Sequence, residues 1–437
     1  MENTNMTLVA AVLVVGLLVG AGVGYYMAPA GDGGDGETVT VTVEKNPLEG
    51  KTIQMGNIVA STAALETSVP LFEDIITVDI NDYFAKMDYD VDVEFLQDTA
   101  DGQAAIHLEK TQSFKAMDVS IFIGGGWSSQ ASASLSYVND NDMLMISSSS
   151  TSPLLAIPND RLFRTCPTDF VQGPAISNMW KSWGVDAILI FQRGDSWADG
   201  IYNVLLPELE IAGLEVVERV RYAAEVTEFS SYLSTMDDLL GDAIAEYGEG
   251  RVGVQTMSFD EQIVMMSQTA DYPNVRACIF MGTESSGRSQ RMIDDAGGLQ
   301  NAVGGFSSLM TPAKSWKWQS LDERFFDLVA QPASFYTSAG YDAAYALSLS
   351  VIEAGSTDAN VIAPLWPTVP NNYYGSGGWV QLDENGDRAA GVFDIWGFST
   401  TDANGFQSYG QYSGIDLSVT WDDAALAANG YSRPAVN

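Results

Sequence analysis

Two short clusters of small hydroxyl residues carry most of the chemistry that this sequence offers. The first, Gly124-Gly125-Gly126-Trp127-Ser128-Ser129, ends the apolar run 119–123. The second, Ser147-Ser148-Ser149-Ser150-Thr151, ends the run 143–146. A carboxylate is held well by hydroxyls and by backbone amides at a helix N-terminus. Ser128 opens a helix-like segment after the glycines, the right place for such an anion. An ammonium group needs a carbonyl, a hydroxyl and a carboxylate. Ser149, Ser150 and Thr151 offer the first two. Glu284, just past the strand-like run 277–281, offers the third. Trp127, Trp197 and Tyr336 can supply apolar walls. Such a set holds both ends of an amino acid.

Other chemistries fit less well. A phosphate loop needs GxxxxGK[ST], and no lysine follows the glycine triplet. Asp383, Asn385 and Asp387 have the opening spacing of an EF-hand, but Gly386 falls at the fourth position and no glutamate closes the loop; a hairpin turn explains them. The single histidine, His107, has no metal-ligand pattern around it, so no metal and no cofactor is expected. With no GxSxG and few bases, a serine hydrolase lacks its partners. The expectation is a protein that binds and does not catalyse.

The clusters must be positioned by strands. From Lys51 onward, strand-like and helix-like segments alternate, which implies parallel sheets with helices on both faces. In such sheets ligands sit at the carboxyl ends of the strands, where both clusters fall. One βα series runs to Arg164-Thr165. A second begins with a helix candidate at 170–183, for which Thr168-Asp169 is the expected N-cap, and continues through strand-like segments at 187–191, 214–220, 252–256 and 277–281. After the long helix 335–354, residues 357–378 read as a loop. Residues 378–396 read as a hairpin around Asn385-Gly386. The tail 401–437 gives no clear fold signal.

The 437 residues carry a net charge of −37, from 57 acidic and 20 basic side chains. That surface repels nucleic acid, which is excluded as a partner, and suits a heavily solvated protein in salty surroundings. Cys166 and Cys278 read as buried thiols, with one bridge left open. Leu8–Ala28 contains no charge and is long enough to span a bilayer as a helix. Ala28-Pro29-Ala30 also has the form of a signal-peptidase site. Its length and the acidic tether that follows favour an N-terminal membrane anchor on an extracellular protein.

Taken together, several motifs resemble a known family. They are Phe122-Ile-Gly-Gly-Gly-Trp-Ser-Ser129, Met145-Ile-Ser-Ser-Ser-Ser-Thr-Ser-Pro153, Phe163-Arg-Thr165 followed by Asp169 and Gln172-Gly173, Phe280-Met-Gly-Thr-Glu284, Tyr341-Asp-Ala343 and the 383–391 hairpin. Over roughly residues 51–400 the chain resembles type I periplasmic-type solute-binding proteins of the branched-chain amino acid family, which serve ABC importers. The resemblance implies two Rossmann-like lobes joined by three hinge crossovers, with ligand in the cleft between them. It implies a carboxylate on Ser128, the carbonyl of Ser149 and hydroxyl of Thr151 for the ligand, Glu284 for the α-ammonium, and Trp197 and Tyr336 as flanking aromatics. Trp127 is larger than the residue usual there, Leu65 replaces a common aromatic, and Met257-Ser258 does not reproduce an expected one. An amide or urea therefore stays open beside an amino acid. The anchor without a lipid-bearing cysteine is similar to archaeal surface binding proteins.

The expected organisation is 1–30 anchor or signal, 31–50 linker, 51–165 with 308–384 as lobe 1, 166–307 with 385–400 as lobe 2, and 401–437 as an extension. The expected partners are a small amino-acid-like or amide ligand, an ABC permease and the membrane. A sensor ectodomain of the same fold and a surface-layer or adhesion protein are the alternatives.

Overall fold

The apolar runs become strands buried from both sides. In the first sheet, Ile121, Ile123, Leu144 and Ile146 pack with the long helix Phe335–Ala354. Between them in sequence, Phe122 and Met145 pack the other way, against Phe114, Ala131 and Leu135. A strand with apolar side chains on both faces cannot alternate with polar ones, which is why these segments read as continuous runs. The computed structural model describes residues 46–389, 391–414 and 416–434. The expected anchor at 8–28 lies outside them. Among the described residues no helix is long and apolar enough to cross a membrane.

The first sheet is parallel throughout. It contains β1 (Lys51–Val59), β2 (Val91–Thr99), β3 (Ile121–Ile123), β4 (Leu144–Ser147) and β5 (Leu162–Pro167), in the order β2-β1-β3-β4-β5. The second is built on β6 (Ala187–Arg193), β7 (Glu215–Tyr222), β8 (Val252–Met257), β9 (Ile279–Gly282) and β10 (Phe306–Met310), ordered β7-β6-β8-β9-β10 and also parallel. A two-strand ribbon follows, β11 (Tyr374–Gly375) with β12 (Gly378–Trp379). Then β13 (Asp387–Arg388) pairs with β5 in the first sheet. Finally β14 (Phe393–Phe398), β15 (Phe406–Ser413) and β16 (Ser418–Trp421) extend the second sheet beyond β10, all antiparallel.

The chain therefore passes between the two sheets three times: after β5, after β10 and after β13. Several expected boundaries move. Residues 306–310 belong to the second sheet, so the return crossing starts after Met310. Asp387 and Arg388 belong to the first sheet, because the residues expected to form one hairpin are divided between lobes. Asp383 does form the turn, its carboxylate accepting the amides of Asn385 and Asp387. The tail is part of lobe 2, since β15 and β16 carry Tyr409, Tyr412 and Trp421 into its core. The expected loop at 357–378 contains the helix Ala359–Leu365, whose Ile362 is fully buried.

One buried ion pair ties the first crossing to the last. Arg164, on β5, is fully buried and meets Asp387 through two hydrogen bonds of 2.5 and 2.7 Å. Its remaining terminal nitrogen donates to the carbonyls of Ser150 and Ser152 at 3.0 and 2.7 Å. Removing one partner of such a pair leaves the other charge buried and uncompensated, at a cost of about 3–5 kcal/mol. Arg164→Ala is therefore expected to lower the stability measured in urea by that amount, whereas Lys86→Ala, an exposed residue of the same lobe, should change it by less than about 1 kcal/mol. Equal effects in urea denaturation would count against a special role for Arg164.

Candidate functional site

The glycine turn after β3 is shaped by contact. Gly125 has φ +65°, and a Cβ there would lie 2.7 Å from that of Ala131. The His107 ring fixes the turn from below. Its Nε2 accepts the Gly125 amide at 2.7 Å, so Nδ1 carries the proton and meets Ser134 Oγ at 2.7 Å. Trp127 is the N-cap residue of the helix Ser128–Asp140, which places Ser128 in its first turn.

The second cluster is stitched to the first. Ser147 Oγ donates to the Gly125 carbonyl at 3.0 Å, and Ser149 Oγ to that of Gly126 at 2.7 Å. The Ser152 amide donates to Ser128 Oγ at 3.1 Å. Ser150 turns inward: its hydroxyl donates to Ser147 Oγ at 2.6 Å and its carbonyl receives Arg164. Contacts then reach the other lobe. Ser152 Oγ donates to the Ser196 carbonyl at 2.7 Å, and Thr151 Oγ1 meets Glu284 Oε1 at 3.4 Å.

Glu284 begins a single 3-10 turn after β9 and is 6% exposed. Its Oε1 also accepts Trp197 Nε1 at 3.3 Å, while Oε2 makes no hydrogen bond within the protein. Gln172 and Tyr336 lie beside the same carboxylate, and Gln172 Nε2 donates to Ser308 Oγ at 3.0 Å. Beside it lies Asp169, 1% exposed, whose backbone amide donates to the Thr151 carbonyl at 2.8 Å and whose Oδ2 has no partner. Asp169 is not the N-cap expected of it; that position is Val171, and the carboxylate faces the cleft cluster instead. Burial raises both acids above the usual carboxylate range, and the Glu284 charge raises Asp169 further. Gln172 Oε1 is likewise unpartnered. Three buried acceptor oxygens in one cluster therefore face a hydrogen-bond donor that the protein does not supply.

Rings close the remaining side. Phe259 lies between Trp127 and Trp197, with centroid separations of 4.9 and 4.6 Å and interplanar angles of 22° and 15°. The Arg193 guanidinium sits 4.3 Å above the Phe259 ring and is pinned by Asp195 and Glu261 at 2.6 and 2.7 Å.

Two lobes with a polar cleft at their strand ends are the architecture of ligand-capturing receptors. The family model described as receptor family ligand binding region matches residues 78–401. The chain belongs to that family. Its fold is also that of solved binding proteins. It resembles the leucine-binding protein LivK of Thermotoga maritima (17% identity, TM-score 0.67, covering 83% of this chain and 99% of that one). It resembles LivJ of Streptococcus pneumoniae, solved with isoleucine (16%, TM-score 0.67, 85% and 100%). A Rhodopseudomonas palustris solute-binding protein solved with 3,4-dihydroxybenzoic acid aligns at 14% identity and TM-score 0.66, over 83% and 98%. In sequence, an uncharacterized protein of Methanocaldococcus jannaschii is 23% identical over 364 residues, 78% of this chain and 84% of that protein.

Within this receptor-family cleft, Thr151 and Tyr336 from lobe 1 and Trp197 from lobe 2 converge on the Glu284 carboxylate. Ser128 and Ser149 are bonded into the lobe 1 turns beside Thr151, and Ser150 is committed to its own loop. The sequence reading passed over the roles of Asp169 and Gln172 although both stood in a quoted motif. It also missed Phe259, one residue beyond the Met257-Ser258 pair where an aromatic was sought. Cys166 and Cys278 are free and buried.

His107 gives the cleft a pH signature. Burial pushes its pKa down to about 3, against ~6.5 for an unfolded histidine. Its contribution to stability is therefore complete above pH 6.5 and is lost as pH falls towards 3. Between pH 7 and pH 5 the loss comes to about 2 kcal/mol. The raised acids contribute with the opposite sign, so the comparison must be made against a variant. Subtracting the urea stability of His107→Gln from that of the parent should isolate this loss; a difference that does not vary with pH would refute it.

Proposed function

We propose that this chain is an extracellular solute-binding protein that captures a small amino-acid-like molecule between its lobes and delivers it to an ABC importer. The observation that carries the reading is the cluster of unpartnered acceptors: Glu284 Oε2, Asp169 Oδ2 and Gln172 Oε1. A primary ammonium brings three N–H donors and a positive charge, which suits two buried carboxylates and an amide oxygen. Opposite them, the first turn of the helix Ser128–Asp140 and the Ser128 hydroxyl suit a carboxylate. Thr151, Trp197 and Tyr336 hold Glu284 in place, and Ser149 offers its carbonyl. Closure around the ligand draws its energy from contacts with both lobes, without a covalent step. The neighbours' ligands, leucine and isoleucine among them, support the same class. The apolar segment 8–28 would tether the protein to the membrane on its outer side.

The assignment separates binding from stability. Glu284→Gln removes the charge that an ammonium needs and relieves the burial of a carboxylate. Its affinity for the cognate amino acid should fall about 100-fold, close to the upper end for a hydrogen bond to a charged group. The ligand-free melting temperature at pH 7.5 should rise by ~2–4 °C. Titration calorimetry and thermal unfolding read the two effects. Unchanged affinity would remove Glu284 from the site, and preference for a neutral amide such as urea would redirect the reading to amide transport.

A further inference from the structure

The two polar anchors of the cleft are each joined to the ring stack. Trp127 directly precedes Ser128, on the lobe 1 side. Trp197 donates its Nε1 to Glu284 Oε1 at 3.3 Å, on the lobe 2 side. Phe259 fills the space between the two indoles at centroid separations of 4.9 and 4.6 Å. A ligand group inserted between two rings needs about 3.5–4 Å on each side, so roughly 7–8 Å between their centroids. Neither gap approaches that width. Trp127 also extends over the β2 end, where a Cβ on Gly102 would lie 3.4 Å from its ring. The stack is braced, since Arg193 caps Phe259 at 4.3 Å and is itself held by two carboxylates. Rings therefore occupy the strand-end space beside both anchors, and Tyr336 bounds Glu284 on another side.

We infer that the Trp127–Phe259–Trp197 stack is a size filter that restricts the cleft to amino acids with very small side chains, of the glycine and alanine class, and excludes leucine-sized ones. The inference rests on the amino-acid reading above and names its substrate class. The polar groups fix the two ends of the ligand, and the rings leave no slot for a branched side chain beyond its α-carbon. Phe259 is a specificity-determining residue here, and Trp127 its partner from the opposite lobe.

The test is calorimetry on the full chain with glycine, alanine and leucine, for the parent and for Phe259→Ala. The parent should bind glycine or alanine at least 30-fold more tightly than leucine. Phe259→Ala should shift that ratio towards leucine by tenfold or more, by opening a gap between the indoles. Trp127→Ala, altered on the other lobe and only half-buried in the parent, should shift the ratio in the same direction and serves if Phe259→Ala does not fold. A parent that binds leucine within tenfold of glycine would overturn the filter while leaving the amino-acid reading intact. A ratio unmoved by either variant would do the same. A parent that binds no amino acid, glycine included, would bring down the underlying reading and the filter with it.

Discussion

The buried Arg164–Asp387 pair is the interaction on which the rest of the cleft depends. Arg164 joins three things that are distant in sequence: the β5 end, the serine turn through two of its carbonyls, and the last crossing through Asp387. Two charges this deeply buried repay their desolvation only when the geometry is good and the remaining donors are used. Here four of the five guanidinium N–H donors are accounted for by those bonds. Once the carbonyls of Ser150 and Ser152 are fixed, Thr151 between them has little freedom. It is Thr151 that touches Glu284 across the cleft.

The cleft trades stability for recognition. A protein built only to be stable would not bury Asp169 and Glu284 side by side with oxygens left unpartnered. The lobe 1 turns around them are well bonded: Ser147 and Ser149 donate to carbonyls, His107 accepts an amide, and Arg164 donates to two carbonyls. Other buried polar atoms without a partner, such as Asp160 Oδ2 and Trp366 Nε1, lie apart from one another, whereas Glu284, Asp169 and Gln172 bring three acceptors into one cluster, which is what a site for a cationic donor requires.

Much of this was legible in the sequence, and the reasons are physical. Parallel strands buried on both faces leave apolar runs that composition alone reveals, as at 119–123, 143–146 and 187–191. Small hydroxyl residues at their ends marked the turns. The helix Trp316–Val329 was not anticipated, because only Leu321 and Phe325 of its residues are buried and its apolar stripe is thin. The division of the 378–396 segment between two sheets was also hidden. A strand as short as Asp387–Arg388 is defined by its partner β5 and by the Arg164 charge, not by its own pattern. Phe259 was missed for a related reason: sequence shows that a ring exists but not what it stacks upon.

The tail that extends the second sheet has a consequence for solubility. Without β15 and β16, β14 would become an outer strand with Phe393, Ile395, Trp396 and Phe398 beneath its surface and a row of free amides and carbonyls along its side. Uncovered strands of that kind recruit other chains. The polar residues Ser408, Gln411 and Thr420 on the added strands give the sheet a solvated border instead. Residues beyond the reach of the family match at 401 thus act as a selvedge: they contribute nothing to the cleft, yet they stop the fabric of the second lobe from joining that of a neighbour.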